Sequence, residues 1–241
     1  MDAPARSEQV RNGERASGEA PAGDAVDRGR YLVTHVAACG ECHSPRARGG
    51  GYEPAAWLSG VDCFVDVAPE DPNVGCLSTR NLTNHETGLK NRTDEEIEDM
   101  FLRGVRPDGK ALHPFMPYAF FGNMRPSDAH AIVAYLRTVP GVERTSAPSQ
   151  PPFLAPKEPR ARVPQALIPM PRPDYAEQAA ALRGRYLAAE IGVCMDCHTP
   201  RGANGIELER AFEGGMQLKR SLLRLPETYP CLLYTSPSPR D

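Results

Sequence analysis

The sequence predicts an all-α protein in which one small helical domain occurs twice, the second time incompletely. Three observations predict it. Gly29-Arg-Tyr-Leu runs into Cys39-Gly-Glu-Cys42-His43, and Gly184-Arg-Tyr-Leu runs into Cys194-Met-Asp-Cys197-His198. The offset is 155 residues, ungapped, and 9 of the 18 positions from Gly29 to Arg46 equal their counterparts. The match continues weakly, Gly50 with Gly205, Trp57 with Phe212 and Gly60 with Gly215, which is the mark of a repeated domain rather than of two chance motifs. Secondly, apolar residues recur at helical spacing behind helix-start signals. Thirdly, Pro140 to Pro173 holds 10 of the 25 prolines. Such a stretch lacks amide donors and resists helix, so it reads as an extended linker between the copies.

The chain therefore divides into a leader at 1–26, a first domain at 27–147, a proline-rich linker at 148–173, a truncated second domain at 174–230, and a separate tail at 231–241. Met1 to Asp27 is polar and without the apolar core of a secretory signal. It is predicted to be a disordered leader or a mis-called start: either the true start lies upstream of Met1, or the export signal was lost. Asp27 to Ala38 is the first helix, with Tyr31, Leu32 and Val36 toward the core. Gly49 to Asn91 has little periodicity and reads as a long loop. Thr93-Asp-Glu-Glu96 is a capping box opening a second helix with Ile97, Met100, Phe101 and Leu102 as its apolar positions, ended by Gly104. Pro107-Asp-Gly109 is a turn. Ser127 is predicted to cap a last helix through Val139 that buries Ile132, Val133, Tyr135 and Leu136.

The second copy repeats the first helix (Tyr175 to Ile191), the cysteine motif and the glycine loop. By the offset, counterparts of the two later helices would begin at roughly 248 and 282, beyond Asp241. Poor packing is expected of this half. Cys231-Leu-Leu-Tyr-Thr-Ser-Pro-Ser-Pro-Arg-Asp241 reads as a translated sequencing adapter and is set aside from the fold.

Charge is nearly balanced, net −3, with no basic footprint for nucleic acid. No run of about 18 apolar residues is present, so no membrane span is predicted. What the chain carries instead is chemistry. Cys-x-x-Cys-His is the attachment signature of c-type haem. Two thiols three positions apart each form a thioether to one vinyl group, and the adjacent imidazole becomes an axial ligand of the iron. Cys39, Cys42, Cys194 and Cys197 are thus predicted attachment points for two haems, with His43 and His198 as iron ligands. A zinc site would need a second ligand pair at matching spacing, which neither half has. His43 should donate its other ring nitrogen to a carbonyl that the sequence does not name. Opposite it, Met116 stands in His113-Pro-Phe-Met-Pro-Tyr118, where flanking prolines keep the loop out of helix. Met124 is the runner-up, more simply a packing residue; His113, His85 or an open position remain as alternatives. A methionine opposite histidine raises the potential and leaves no site for substrate. In the second half Met195 lies inside its own motif and Met216 falls too early. Cys63 and Cys76 form a disulfide in an oxidising compartment or remain separate thiols. Arg46 and Arg201, three residues past their motifs, either meet haem propionates or are simply exposed.

With these residues in hand, the chain resembles the bacterial class I diheme cytochromes c, especially the cytochrome subunits that accompany membrane-bound or periplasmic dehydrogenases. The similar stretches are Asn81-Leu-Thr with Glu86-Thr-Gly88, Thr93-Asp-Glu-Glu-Ile97, Gly104-Val-Arg-Pro-Asp-Gly109, Met116-Pro-Tyr118 and Ala131-Ile-Val-Ala-Tyr-Leu-Arg137. The resemblance covers most of the first domain and only Gly184 to Gly215 of the second. It implies a cytochrome c-like fold, Met116 as distal ligand, and a periplasmic electron carrier rather than an enzyme. A dehydrogenase subunit would reduce it, and a terminal oxidase or quinone pathway would take its electrons. The rival is a diheme cytochrome c peroxidase, which needs an open distal position that Met116 would close.

Overall fold

The computed structural model describes residues 22–202 and 205–214. Most of the predicted leader and all of Cys231 to Asp241 lie outside these residues. Two helices cross at the centre of the first unit, α1 (Ala22–Tyr31) and α5 (Pro126–Thr138). Gly29 allows the crossing: a Cβ built on it would lie 1.8 Å from the Ala131 carbonyl oxygen. Leu32 and Val33, three and four residues on, share that face and are fully buried with Ile132, Val133 and Leu136. Tyr31, predicted to face inward, points away and is 42% exposed. Two residues at 100° each carry it to the far side of the helix from Gly29. After Tyr31 the chain makes one π-helical turn, Leu32–Val36, closed by the Ala37 N–H donating to the Leu32 carbonyl at 2.8 Å. A left-handed Ala38 (φ 49°) then redirects it into the short helix α2 (Cys39–His43).

The predicted loop contains more than loop. Strands β1 (Val61–Asp66) and β2 (Cys76–Thr79) pair antiparallel, with Val61 opposite Thr79 and Asp66 opposite Cys76. The register breaks between Val61 and Val65, where Cys63 sits at φ 48°. The break hides the alternation that would have signalled a strand. A disulfide joins Cys63 to Cys76 (Cα separation 4.7 Å). The all-α expectation is corrected to a helical unit bearing a two-stranded hairpin.

The second predicted helix forms as read. In α3 (Asp94–Arg103) the Thr93 hydroxyl accepts from Glu96 N–H while the Glu96 carboxylate accepts from Thr93 N–H, and Gly104 ends the helix at φ 67°. A short α4 (Tyr118–Phe121) follows the methionine loop. Helix α5 begins two residues earlier than expected. Arg125 is its N-cap and Pro126 its first residue, so the proline rather than Ser127 supplies the start. Tyr135 is half-buried against the core, while the other three predicted residues are buried.

In the second half, α6 (Gln178–Tyr186) runs into a π-helical turn, Leu187–Ile191. A left-handed Val193 (φ 46°) leads to α7 (Cys194–Cys197). These are the same three steps as in the first half. The hydrogen bonds recur too. Gly60 N–H donates to His43 O, and Gly214 N–H to His198 O; Leu58 N–H donates to Ser44 Oγ, and Phe212 N–H to Thr199 Oγ1. The short pair β3 (Arg201–Gly202) and β4 (Gly205–Ile206) answers the bridge between Arg46 and Tyr52. These equivalences correct the ungapped reading: Leu58 matches Phe212 and Gly60 matches Gly214. The glycine loop of the second half is one residue shorter, and the Gly214-Gly215 doublet conceals the slip.

Packing in the second half is borrowed rather than poor. Its Tyr186 and Ile191 complete the core of the first unit. Its Ala189 and Met195 bury themselves with Phe120, Val163 and Ile168. Gly184, the counterpart of Gly29, has nothing within 4 Å of a Cβ. The proline-rich segment holds no α-helix, only the 3-10 turn Gln165–Leu167, and it is tied down. Gln150 N–H reaches Cys76 O (2.8 Å), Val163 N–H reaches Ala119 O (2.9 Å), and Arg160 N–H reaches the Tyr118 hydroxyl (2.9 Å).

Candidate cofactor site

Helix α2 presents two unbridged cysteines and a histidine. The π turn and the left-handed Ala38 set its direction, and Gly40 keeps it flush with the Trp57 indole, which a Cβ would meet at 2.2 Å. Burial pushes the Cys39 thiol up to about 12 and, with Glu41 adding to it, the Cys42 thiol up to about 11. Both therefore persist as neutral thiols, the form that adds across a vinyl group to give a thioether. Burial lowers the pKa of His43, against the contrary pull of its carbonyl partner. Its imidazole is thus neutral, the ligating form.

That partner is the Arg80 carbonyl, 2.8 Å from His43 Nδ1. Nδ1–H is spoken for and Nε2 is left for a metal. The sequence predicted such an acceptor without naming it. It also missed Thr79, whose hydroxyl donates to the Cys42 carbonyl at 2.7 Å, and Asn81, whose buried side chain ties Val142 and Arg144 to this segment. A backbone carbonyl carries no residue signature, so only the fold reveals it.

Met116 packs against the core cluster that Cys39 also touches. Its loop is a run of tight turns: Met116 N–H donates to His113 O and Tyr118 N–H to Met116 O. His113 is engaged in that loop, its Nδ1 accepting from Phe115 N–H at 3.1 Å. His85 Nδ1 lies 2.9 Å from the Thr87 hydroxyl. Met124 is a buried member of the core. The donor set fits haem c: two thiols one helical turn apart, an imidazole oriented by its second nitrogen, and a half-buried thioether in the same apolar cluster.

The second motif is arranged alike but opened to solvent. Cys194, Cys197 and His198 are exposed, while Met195 is fully buried as a packing residue. Met216 lies outside the described residues. Arg46 and Arg201 share a role: each pairs with the acid inside its own motif, Glu41 and Asp196.

A model of the cytochrome c family matches residues 26–140. These residues are a cytochrome c domain. Domains of this family carry covalently bound haem c and transfer electrons. The chain is 31% identical over 188 residues to the fructose dehydrogenase cytochrome subunit of Gluconobacter japonicus, a match covering 73% of this chain and 35% of that one. It is 29% identical over 185 residues to the cytochrome c subunit of the quinone-dependent alcohol dehydrogenase of Gluconacetobacter polyoxogenes (73% of this chain, 36% of that one). It is 26% identical to a diheme cytochrome c-type protein of Cereibacter sphaeroides (73% and 58%). The chain spans about a third of the length of the first two of these relatives. Each match covers more of this chain than its first domain.

Proposed function

We propose that this chain is a diheme electron carrier serving a dehydrogenase outside the cytoplasm. Cys39 and Cys42 would hold the first haem between His43 and Met116, and Cys194, Cys197 and His198 the second. The two halves are read as duplicated cytochrome c domains. When bound, haem supplies a one-electron couple. The protein's part is to orient His43 through the Arg80 carbonyl, to surround the crevice with Leu32, Trp57 and Ile97, and to present Met116. The names of the relatives support a dehydrogenase as electron donor and favour the carrier over the diheme peroxidase. The downstream acceptor is proposed to be a terminal oxidase or quinone pathway. Among the described residues no helix is long and apolar enough to cross a membrane.

One observation carries the reading of the first site. The His43 ring is already oriented by a carbonyl, and Cys39 and Met116 meet the same apolar cluster. The test is expression in a host competent in cytochrome maturation. The product should gain the mass of two haems and show a low-spin spectrum with the methionine–iron charge-transfer band. Met116→Ala should abolish that band while both haems stay attached. A band that survives in Met116→Ala would remove Met116 from the iron, and a colourless product would end the reading.

A further inference from the structure

We infer that the Cys63–Cys76 bridge and Thr79 are positioning elements for the proximal ligand: they hold strand β2 so that the Arg80 carbonyl stays on His43. The inference rests on the proposed haem at Cys39 and Cys42. Arg80 directly follows β2, so the acceptor of the histidine proton is placed by that strand. Strand β2 belongs to an isolated two-stranded sheet, an arrangement that is marginal by itself in water. This one is weaker still, because the break between Val61 and Val65 removes ladder pairs from its middle.

Side-chain and covalent links stand where the ladder is missing. Cys63 N–H donates to Ser78 Oγ (3.1 Å), Val61 N–H to Thr79 Oγ1 (3.0 Å), and the disulfide joins the break itself to the start of β2. Thr79 Oγ1 then donates its own hydrogen bond to the Cys42 carbonyl (2.7 Å). The hairpin thus grips α2 at consecutive residues, by a hydroxyl at Cys42 and a carbonyl at His43. From the other side the Arg80 guanidinium donates to the Ser146 carbonyl at 2.8 Å. The hairpin is therefore the mount of the proximal histidine, and its disulfide stiffens that mount.

The consequence is electronic. A hydrogen bond from Nδ1–H to a carbonyl raises the basicity of the ligating nitrogen, which favours ferric iron. Loosening β2 weakens that bond and moves the potential of the first haem positive. The full chain should be prepared with its haems, alongside the Cys63→Ser/Cys76→Ser double variant and, separately, Thr79→Val. Spectroelectrochemical titration of the methionine-ligated haem gives the midpoint, and NMR gives the exchange rate of the His43 ring proton.

The double variant should favour the ferrous state by three- to tenfold, tenfold being 59 mV for a one-electron couple, with faster ring-proton exchange. Thr79→Val should shift it in the same direction by less. An unmoved midpoint and unchanged exchange in a folded, low-spin double variant would overturn the inference. Should the double variant fail to mature, an unmoved midpoint in Thr79→Val would overturn it equally. Absence of covalent haem in the parent chain would instead defeat the proposed function, a different result in the same preparation.

Discussion

Gly29 and Gly184 begin the same tetrapeptide, yet alanine at the two positions should change stability in opposite directions. At Gly29 an added Cβ would sit 1.8 Å from the Ala131 carbonyl oxygen and 2.8 Å from Tyr135 Cβ. Ordinary carbon–oxygen contact begins near ~3.3 Å, so α1 and α5 would have to separate by roughly 1.5 Å. That separation would loosen Leu32 and Val33 from Ile132 and Leu136 as well. Overpacking of this kind costs up to about 3 kcal/mol; the helical preference of alanine over glycine returns about 1. The net expectation for Gly29→Ala is about 2 kcal/mol of destabilisation. At Gly184 the same Cβ meets nothing within 4 Å, so only the propensity gain of up to about 1 kcal/mol is left. Denaturant unfolding of the haem-loaded chain, followed by far-UV circular dichroism and by the haem band, would measure both. A Gly29→Ala variant within 0.5 kcal/mol of the parent, on the order of an ordinary surface change, would refute the crossing. A Gly184→Ala variant as damaged as Gly29→Ala would show that the two helices are seated alike.

Three further outcomes follow from the same contacts. Tyr186 donates to Asp128 at 2.7 Å and accepts from Arg125 N–H at 3.0 Å, so Tyr186→Phe should cost about 2 kcal/mol and loosen α6 from α5, read by amide exchange in α6. Burial alone would raise the pKa of Asp128, but hydrogen bonds from Arg28 and Tyr186 outweigh it and hold the carboxyl below its ordinary value. Its contribution is therefore complete above the unfolded carboxylate pKa and lost as pH falls through the folded one; Asp128→Asn should flatten the acid limb of a stability–pH curve, and an unchanged limb would exclude the link. Thr93→Ala removes one half of a complete capping box and should cost about 1 kcal/mol, measured by the denaturation midpoint.

The sites that announce themselves in sequence are those where chemistry dictates residue type and spacing together. The Thr93 box with Gly104 was legible from sequence and forms as read, and the two Cys-x-x-Cys-His motifs and Met116 between its prolines were legible there as candidate ligands. The hairpin was not, because Cys63 at its break interrupts the alternation by which a strand is recognised. Arg80 and Thr79 were not, since one acts through its backbone and the other through a neighbour brought close only by folding. Tyr31 and Tyr186 make the same point by contrast. They occupy matching places in identical tetrapeptides, yet Tyr31 is 42% exposed and Tyr186 is 5% exposed. What separates them is Asp128, which waits on α5 for Tyr186, while among the described residues no carboxylate accepts from Tyr31. Local sequence could not decide between them; a tertiary partner did.

Arg185 shows what the anchored segment between the halves accomplishes. Its guanidinium holds the carbonyls of Ile168 and Pro169, while Gln165 Nε2 donates to the buried Glu190. A free tether would let the two sulfur pairs wander through many separations, and any exchange between them would wait on a diffusive search. Clasped at both ends, the segment behaves as a splint. Any exchange between the two proposed haems would then take place at one fixed spacing, at a rate indifferent to solvent viscosity.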